Sequence, residues 1–197
     1  MEGNIYLFKD EIKKQIQDSF NLKEKLIIKH IDNINSIANV VIKAYKNNKK
    51  VIWFGNGGSA ADAQHLSCEL VSKFLKDRKA IPSIALTTNT SILTAISNDY
   101  SFEDVFKRQV EAFAEKNDIL IGITTSGTSP NVIKALEYGK KIGTINVAFT
   151  GKNIDEIKKH VDYLIDIPSV VTPRIQECHI LVGHIICDLL EKTLFGD

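Results

Sequence analysis

The sequence predicts an α/β fold in which a five-stranded parallel β-sheet carries helices on both faces. Short apolar runs alternate along the chain with segments of helical periodicity, and this alternation is typical of a parallel sheet. The run at 118–124 (DILIGIT) is apolar on both faces, as a central parallel strand is. Two of the runs lead directly into a glycine- or hydroxyl-rich turn and then a helix, an order typical of ligand-binding α/β sheets.

Five strands are predicted from these runs. In chain order they lie at 51–54, 82–87, 118–124, 144–149 and 163–167. If the sheet has the flavodoxin-like strand order 2-1-3-4-5, the first and third strands end side by side at the switch point. Both polar turns would then meet at one crevice.

Helical periodicity fills most of the remaining chain. Beyond the helix that opens at Ser59, helices are predicted at 91–95, at 104–114, after Pro130 and at 173–194. Residues 4–48 show the period in two pieces with a break near 19–21, and we expect this pair to pack against another subunit. We expect residues 1–197 to form one domain, because no linker or internal repeat interrupts the pattern.

Composition excludes several classes of function. The formal net charge is +1 and the lysines are scattered, which argues against a nucleic-acid-binding surface. The sequence has no apolar run long enough to span a bilayer, and its first residues, MEGNIYLFKDEIKK, do not resemble a signal peptide. Three cysteines at irregular spacing indicate reduced, mostly buried thiols. A cytoplasmic protein is therefore expected.

The first turn, GNGGSA at 55–60, matches the G-x-G-x-x-A pattern of dinucleotide-binding proteins. That pattern also needs an acid near the end of the second strand, and this strand ends in LTTN without one. The sequence therefore argues against a dinucleotide site.

A second turn, TTSGTSP at 124–130, is rich in hydroxyl groups and precedes a helix. Hydroxyls together with the free N–H groups of a helix start suit a phosphate monoester. The alternative is that these serines, threonines and glycines only cap helices. Two such turns at one sheet edge favour a phosphate site.

The helix after the first turn carries His65 and Glu69 on one face, beside its apolar stripe. The largely apolar final helix carries Gln176 and His184 about 80° apart, with Gly183 expected to leave space beside the histidine. One interpretation is a surface ion pair and satisfied core histidines, which also fits His179. The other is that the four side chains converge on a divalent metal, zinc first, or form a proton shuttle.

Four motifs together resemble sugar isomerase (SIS) domains, and within them the phosphoheptose isomerase family. They are GNGGSAADAQHLSCEL, SNDYSF, TTSGTSPNVIKAL and TPRIQECHILVGHIICDLL, and the resemblance extends over essentially the whole chain. It implies isomerisation of D-sedoheptulose 7-phosphate to D-glycero-D-manno-heptose 7-phosphate by a cytosolic homotetramer. In the family this product supplies heptose for lipopolysaccharide core or other surface glycans.

The resemblance also assigns roles to individual positions. It implies a zinc ion in each subunit, held by His65, Glu69, Gln176 and His184, with Glu69 and His184 moving protons through an enediol. Glu69 and Gln176 also match substrate-binding residues, together with ten further positions. They are Asn56, Gly57, Gly58, Ser59, Asn98, Asp99, Thr124, Thr125, Ser126 and Ser129.

Two positions depart from the family pattern and leave the sugar open. Thr124 stands where many members have Ser, and Thr128 where Asn is frequent. An SIS isomerase of another phosphosugar is therefore an alternative. A second is a non-catalytic SIS protein that associates with the bacterial replication initiator, which the ending CDLLEKTLF resembles. The presence of both Glu69 and His184 favours an enzyme.

Overall fold

A five-stranded parallel sheet forms the centre of the molecule, in a computed structural model that describes residues 7–196. The strands are β1 (Val51–Gly55), β2 (Ser83–Ala85), β3 (Ile119–Thr124), β4 (Ile145–Thr150) and β5 (Tyr163–Asp166). The helices are α1 (Lys9–Lys46), α2 (Gly58–Val71), α3 (Thr90–Asp99), α4 (Val105–Phe113), α5 (Pro130–Ile142) and α6 (Thr172–Phe195). Two 3₁₀ turns lie at Phe102–Asp104 and Ile157–His160.

The strand order is β2-β1-β3-β4-β5, with every neighbouring pair parallel. In the register of β1 and β3, Gly55 lies opposite Ile123. The turns that follow these two strands therefore start side by side. The predicted fold class and strand order are confirmed.

Alternate residues of the strands enter two separate cores. Val51 and Trp53 of β1 face a core built with α1, α2 and α6. Ile52 and Phe54 face the opposite core, to which α4 and α5 contribute. Buried aliphatic residues fill both cores, which fixes the positions of α2, α5 and α6 relative to the carboxyl edge of the sheet.

The N-terminal segment is a single helix of 38 residues, so the prediction of two pieces with a break near 19–21 was wrong. No proline or glycine occurs there, and serine and asparagine lower helix propensity only slightly. The side chain of Gln17 also donates to Asn21 across one turn, at 2.9 Å. Residues 4–6 of the predicted segment lie outside the described residues.

Helix α3 is longer than predicted. Asn89 accepts a hydrogen bond from the main chain of Ile92 (3.1 Å) and so caps its start. The helix continues to Asp99, which places Asn98 and Asp99 in its last turn. β2, in contrast, has only three residues and forms one edge of the sheet.

Candidate active site

A polar cleft of about 260 Å³ opens where β1 and β3 end. Its walls come from the turn after β1, the turn after β3 and the start of α6. The lining residues are Asn56, Gly57, Gly58, Ser59, Ile123, Thr124, Thr125, Ser126, Ser129, Thr172 and Gln176. The two polar turns predicted from the sequence therefore form one cavity.

Three helices begin at this cleft, and none is capped by the side chain of its N-cap residue. The N-cap residues are Gly57 for α2, Ser129 for α5 and Val171 for α6. The N–H groups of a first helical turn have no partner within the helix, and the helix dipole makes that end positive. This arrangement suits an anion and argues against the alternative in which Ser129 serves as an ordinary cap.

The hydroxyl groups of the second turn contact one another inside the cleft. The hydroxyl of Thr124 lies 2.8 Å from that of Ser129 and 3.2 Å from that of Ser126. Thr124 and Ser59 are each 3% exposed, so their hydroxyls are held in fixed positions. Because each hydroxyl can donate or accept, the group can reorient its protons toward a phosphate.

A reciprocal amide pair joins the two turns. The amide nitrogen of Asn56 donates to the amide oxygen of Asn131, and Asn131 donates back to Asn56, both at 2.9 Å. Asn131 is 2% exposed and also accepts the main-chain N–H of Val132 at 3.0 Å. The amide of Asn56, predicted to bind substrate, is therefore engaged with the second turn. Sequence patterns give no signal for this pair, because the partners lie 75 residues apart.

A second group of chemically active side chains lies farther along α2, where it faces α6. One ligand atom each from His65, Glu69 and His184 lies within 4.8 Å of the others. The Nε2 atoms of the two histidines are 2.8 Å apart, and His65 Nε2 is 3.2 Å from Glu69 Oε1. The core positions Leu66 and Leu70 are buried beside them. His65 and Glu69 thus lie beside the core, as predicted, and are grouped with His184.

This donor set fits zinc. Two imidazoles and a carboxylate are common zinc ligands, and bonds of about 2.0–2.2 Å place tetrahedral ligand atoms roughly 3.3 Å apart. The two distances from His65 lie close to that spacing. These three residues therefore form a group that could hold a divalent metal ion.

Burial changes the acidity of two groups in this region. Burial lowers the pKa of His184, His65 lowers it further, and Glu69 opposes the change. Burial raises the pKa of Asp62, one turn before His65, against the opposing effect of that histidine. His184 is therefore favoured as a neutral imidazole, the form that can accept a proton or bind a metal.

Gln176 lies in the cleft and against the first turn of α2. A Cβ atom at Gly58 would come within 2.2 Å of the Gln176 amide nitrogen, so glycine is needed for this approach. The structure thus brings together three of the four predicted metal ligands. The convergence of Gln176 with them stays a prediction.

Gly183 has a different role from the predicted one. A Cβ atom there would meet Leu66 at 2.4–2.5 Å. The glycine therefore lets α6 approach α2 closely, and the prediction that it leaves space beside His184 was wrong.

Asn98 and Asp99 are exposed, and the Asn98 amide donates to the Asp99 carboxylate at 2.8 Å. They are not among the described residues that line the cleft. Their role in substrate binding stays a prediction. Thr172 and Ile123, in contrast, line the cleft without having been predicted.

Two more expectations concern the rest of the chain. Among residues 7–196, no helix has the length and apolar character needed to cross a membrane. The three cysteines are free, and Cys178 and Cys187 are buried as expected, whereas Cys68 is exposed.

Comparison with known proteins agrees with this geometry. The SIS domain profile matches residues 16–151. The chain is 52% identical over 191 residues to the phosphoheptose isomerase of Clostridium acetobutylicum, which covers 96% of this chain and 97% of that one. It is 53% identical over 188 residues to phosphoheptose isomerase 2 of Campylobacter jejuni, with coverage of 94% and 93%.

Solved structures show the same relationship. The phosphoheptose isomerase from Neisseria gonorrhoeae superposes with a TM-score of 0.89 at 35% identity, over 94% of this chain and 100% of that one. The enzyme of the same name from Francisella tularensis superposes with a TM-score of 0.91 at 31% identity, over 95% and 100%. Identity of this level over nearly the whole length establishes that this chain belongs to the phosphoheptose isomerase family of SIS-domain proteins.

Proposed function

We propose that this protein is an aldose–ketose isomerase that converts D-sedoheptulose 7-phosphate to D-glycero-D-manno-heptose 7-phosphate. The observation that carries the proposal is the grouping of His65 and Glu69 of α2 with His184 of α6, because the start of the same helix α2 lines the polar cleft. A phosphate cradle and a proton-moving group are thereby fixed relative to each other. The names of the relatives at 52% and 53% identity support the same reaction.

The cleft is the proposed phosphate site. Hydroxyls of Ser59, Ser126 and Ser129 and the uncapped helix starts supply many donors in a small volume. Thr124 and Thr125 complete the second wall. Holding the distal phosphate there orients the open sugar chain and removes the entropic cost of positioning its reactive end.

The distance along α2 favours a long substrate. Glu69 lies ten positions after Ser59 in α2, which corresponds to about 15 Å of helix rise. Side chains tilt toward the helix start and shorten the gap. A seven-carbon open chain with a terminal phosphate comes closer to spanning it than a three- or four-carbon sugar does.

The reactive end of the sugar would meet Glu69 and His184. The Glu69 carboxylate removes a proton from C1 of the ketose, the C1–H electron pair forms the C1=C2 bond, and the carbonyl electrons move to O2. Return of that proton to C2, together with transfer of the O1 proton to O2 and formation of the C1=O bond, completes the aldose. The neutral His184 imidazole is suited to carry the proton between the oxygens, because burial lowers its pKa.

A zinc ion in each subunit, held by His65, Glu69, Gln176 and His184, is part of this proposal. The distances among His65, Glu69 and His184 support it. When bound, zinc supplies Lewis-acid stabilisation of the negative oxygen that develops in the enediolate.

Several broader proposals accompany the reaction. Residues 1–197 act as one SIS domain, and the protein assembles as a homotetramer that supplies heptose for surface glycans. The reaction belongs in the cytoplasm, because the charge of sugar phosphates retains them there. The initiator-associated alternative is not favoured, since Glu69 and His184 occupy the positions that catalysis needs and the relatives named above are isomerases.

The experiment that tests the function is a substrate panel. Zinc-loaded protein is incubated with ketose phosphates of five, six and seven carbons, and the aldose products are resolved by chromatography or NMR. We expect turnover with sedoheptulose 7-phosphate and much lower kcat/KM with shorter sugars. Absence of turnover across the whole panel would refute the enzyme function. Turnover confined to a shorter sugar would overturn the substrate but retain the reaction class.

A further inference from the structure

The carboxylate of Glu191 is buried on α6, two helical turns beyond His184. Its side chain is 2% exposed. A spacing of seven residues places both side chains on the same face of the helix. The catalytic scheme above does not use Glu191, so its burial requires another explanation.

Four donors converge on this carboxylate. Oε1 accepts the main-chain N–H groups of Leu75 (2.8 Å) and Lys76 (2.7 Å). Oε2 accepts the N–H of Phe74 (3.0 Å) and the Nε–H of Arg78 (2.9 Å). Glu191 therefore holds the connection between α2 and β2 on α6, although residues 72–78 form neither helix nor strand there. Fully satisfied hydrogen bonding explains how the charge is tolerated.

Arg78 links Glu191 to the end of α2 that bears Glu69. Its guanidinium donates to the main-chain oxygens of Glu69 and Leu70, each at 2.8 Å. These carbonyls belong to the last turn of α2, which lacks partners within the helix. The side chain of Arg78 is 2% exposed and lies over the Phe195 ring at 5.7 Å.

Phe74 transmits the contact to His184. Its ring centroid lies 5.6 Å from that of His184, and the His65 ring lies 5.0 Å from the same imidazole. The main-chain N–H of Phe74 is one of the four donors to Glu191. One carboxylate thus holds both the residue that packs on His184 and the residue that caps the turn containing Glu69.

We propose that Glu191 is a positioning residue of the active site, which acts through Arg78 to fix Glu69 and through Phe74 to fix His184. This inference rests on the proposed function for its catalytic consequence. It also predicts a consequence for metal binding that does not depend on turnover, because Glu69 and His184 are proposed ligands. Mutation of a residue that orients a metal ligand typically lowers metal affinity by about 10- to 100-fold.

Two variants test the proposal on the full-length protein. Arg78→Lys keeps the charge but cannot donate at once to Glu191 and to both carbonyls of α2. Phe74→Leu keeps the main-chain donor and an apolar side chain but removes the ring from His184. For each variant we expect kcat to fall at least tenfold and zinc affinity to fall about tenfold. KM for the sugar phosphate should change less than twofold, since the phosphate cleft lies at the other end of α2.

The chain offers a matched control in Asp118. This buried carboxylate accepts the main-chain N–H groups of Lys50 (3.1 Å) and Glu115 (2.8 Å) and pairs with the Lys50 ammonium (2.7 Å). It lies just before β3 begins, at the sheet edge opposite the cleft. Asp118→Asn should lower Tm while leaving kcat and zinc affinity as in the wild type.

Zinc affinity is measured by titration calorimetry with the metal alone, and kcat and KM with sedoheptulose 7-phosphate. The proposal is overturned if Arg78→Lys and Phe74→Leu lower Tm, like Asp118→Asn, yet retain wild-type kcat and zinc affinity. If Arg78→Lys does not fold, Glu191→Gln, which keeps the size of the side chain but replaces one of the two acceptor oxygens by an amide donor, takes its place in the same measurements. If the wild type itself shows no turnover, the proposed function fails, and the zinc measurement alone decides whether Glu191 positions the site.

Discussion

At the scale of single residues, the proposed chemistry depends on the carboxylate of Glu69. Its side chain is 20% exposed and lies 3.2 Å from His65 Nε2, at the border between the α2 core stripe and solvent. A carboxylate in that position can reach substrate, whereas the neighbouring core residues Leu66 and Leu70 cannot. Glu69 is therefore the residue whose replacement separates catalysis from folding most directly.

Glu69→Gln should lower kcat by at least about 100-fold, because an amide cannot act as a general base. The side chain keeps its size and lies outside the buried core, so Tm should change by no more than a few degrees. Turnover of sedoheptulose 7-phosphate and thermal unfolding are measured on the same preparation. Near wild-type kcat in Glu69→Gln would exclude Glu69 as the base.

His179 shows the opposite role for a histidine, since it is fully buried and lies outside the proposed site. Its Nε2–H donates to the Thr150 carbonyl at 3.0 Å, and its Nδ1 has no hydrogen-bond partner among the described residues. Burial lowers the pKa to about 4, although the hydrogen bond to Thr150 opposes this change. The imidazole is therefore a neutral core group, as the sequence predicted.

This pKa predicts an acid-sensitive contribution to stability. Between about pH 6.5 and pH 4 the unfolded chain binds a proton on His179 that the folded chain does not. The free energy of unfolding should therefore fall as pH is lowered through that window, by up to about 3 kcal/mol. His179→Gln keeps a donor for Thr150 and should flatten this part of the pH profile in urea unfolding. Parallel profiles from pH 4 to 6.5 would contradict the prediction, and pH 7–8 serves as the reference.

At the scale of elements, the cleft depends on two turns held at a fixed separation. The amide pair of Asn56 and Asn131 is the direct link between them. Gly127 lies in the second turn with φ of +70°, a conformation that favours glycine. A Cβ atom there would collide with the main-chain oxygen of Asn153, so glycine is needed for the turn to pack against that residue. The amide contacts hold the two turns of the proposed phosphate site together before ligand binds, which lowers the entropic cost of binding.

Asn131→Ala should raise KM about tenfold or more and leave kcat nearly unchanged, because it loosens the phosphate cradle without touching Glu69 or His184. Arg78→Lys is expected to have the opposite effect, lowering kcat while leaving KM nearly unchanged. A cycle with Asn56→Ala should give a coupling energy of about 0.5–3 kcal/mol in kcat/KM. Additive effects of the two substitutions would show that the amide pair does not act as a unit.

The sequence predicted those parts of the site that depend on local spacing. His65 and Glu69 lie one turn apart, and both polar turns follow strands whose order obeys a general rule for α/β sheets. The Asn56–Asn131 pair and the contacts of Glu191 could not be predicted, because they join residues 75 and about 115 positions apart without periodicity. The predicted break in α1 was wrong for a different reason: Ser19 and Asn21 were interpreted as a break, although residues of these types lower helix propensity only slightly.

At the scale of the whole molecule, α1 leaves an apolar stripe exposed. Ile12, Ile16, Phe20, Ile27 and Ile31 are each 55–63% exposed and recur at helical spacing. An apolar cleft of about 630 Å³ lies between α1 and α6, lined in part by Ile27, Leu181 and Leu189. Exposed apolar surface of this extent on a 22.0 kDa chain is typical of an interface. This exposed apolar surface supports the proposal that α1 and α6 form the interface between copies of the chain.

Ile27→Glu/Ile31→Glu tests that assembly, because two carboxylates buried without partners would oppose association by several kcal/mol. We expect light scattering after size exclusion to show a tetramer for the wild type and a smaller species for the variant. Lys14→Glu, on the polar side of the same helix, should leave the mass unchanged. A variant that keeps the wild-type mass would show that the α1 stripe is not the interface. The kcat of the smaller species also tests how Asn98 and Asp99 contribute, because neither residue lines the cleft of its own chain. If activity disappears on dissociation while Tm and zinc affinity persist, a neighbouring subunit supplies the missing contacts to the substrate. Full activity of the smaller species would show that one chain is sufficient.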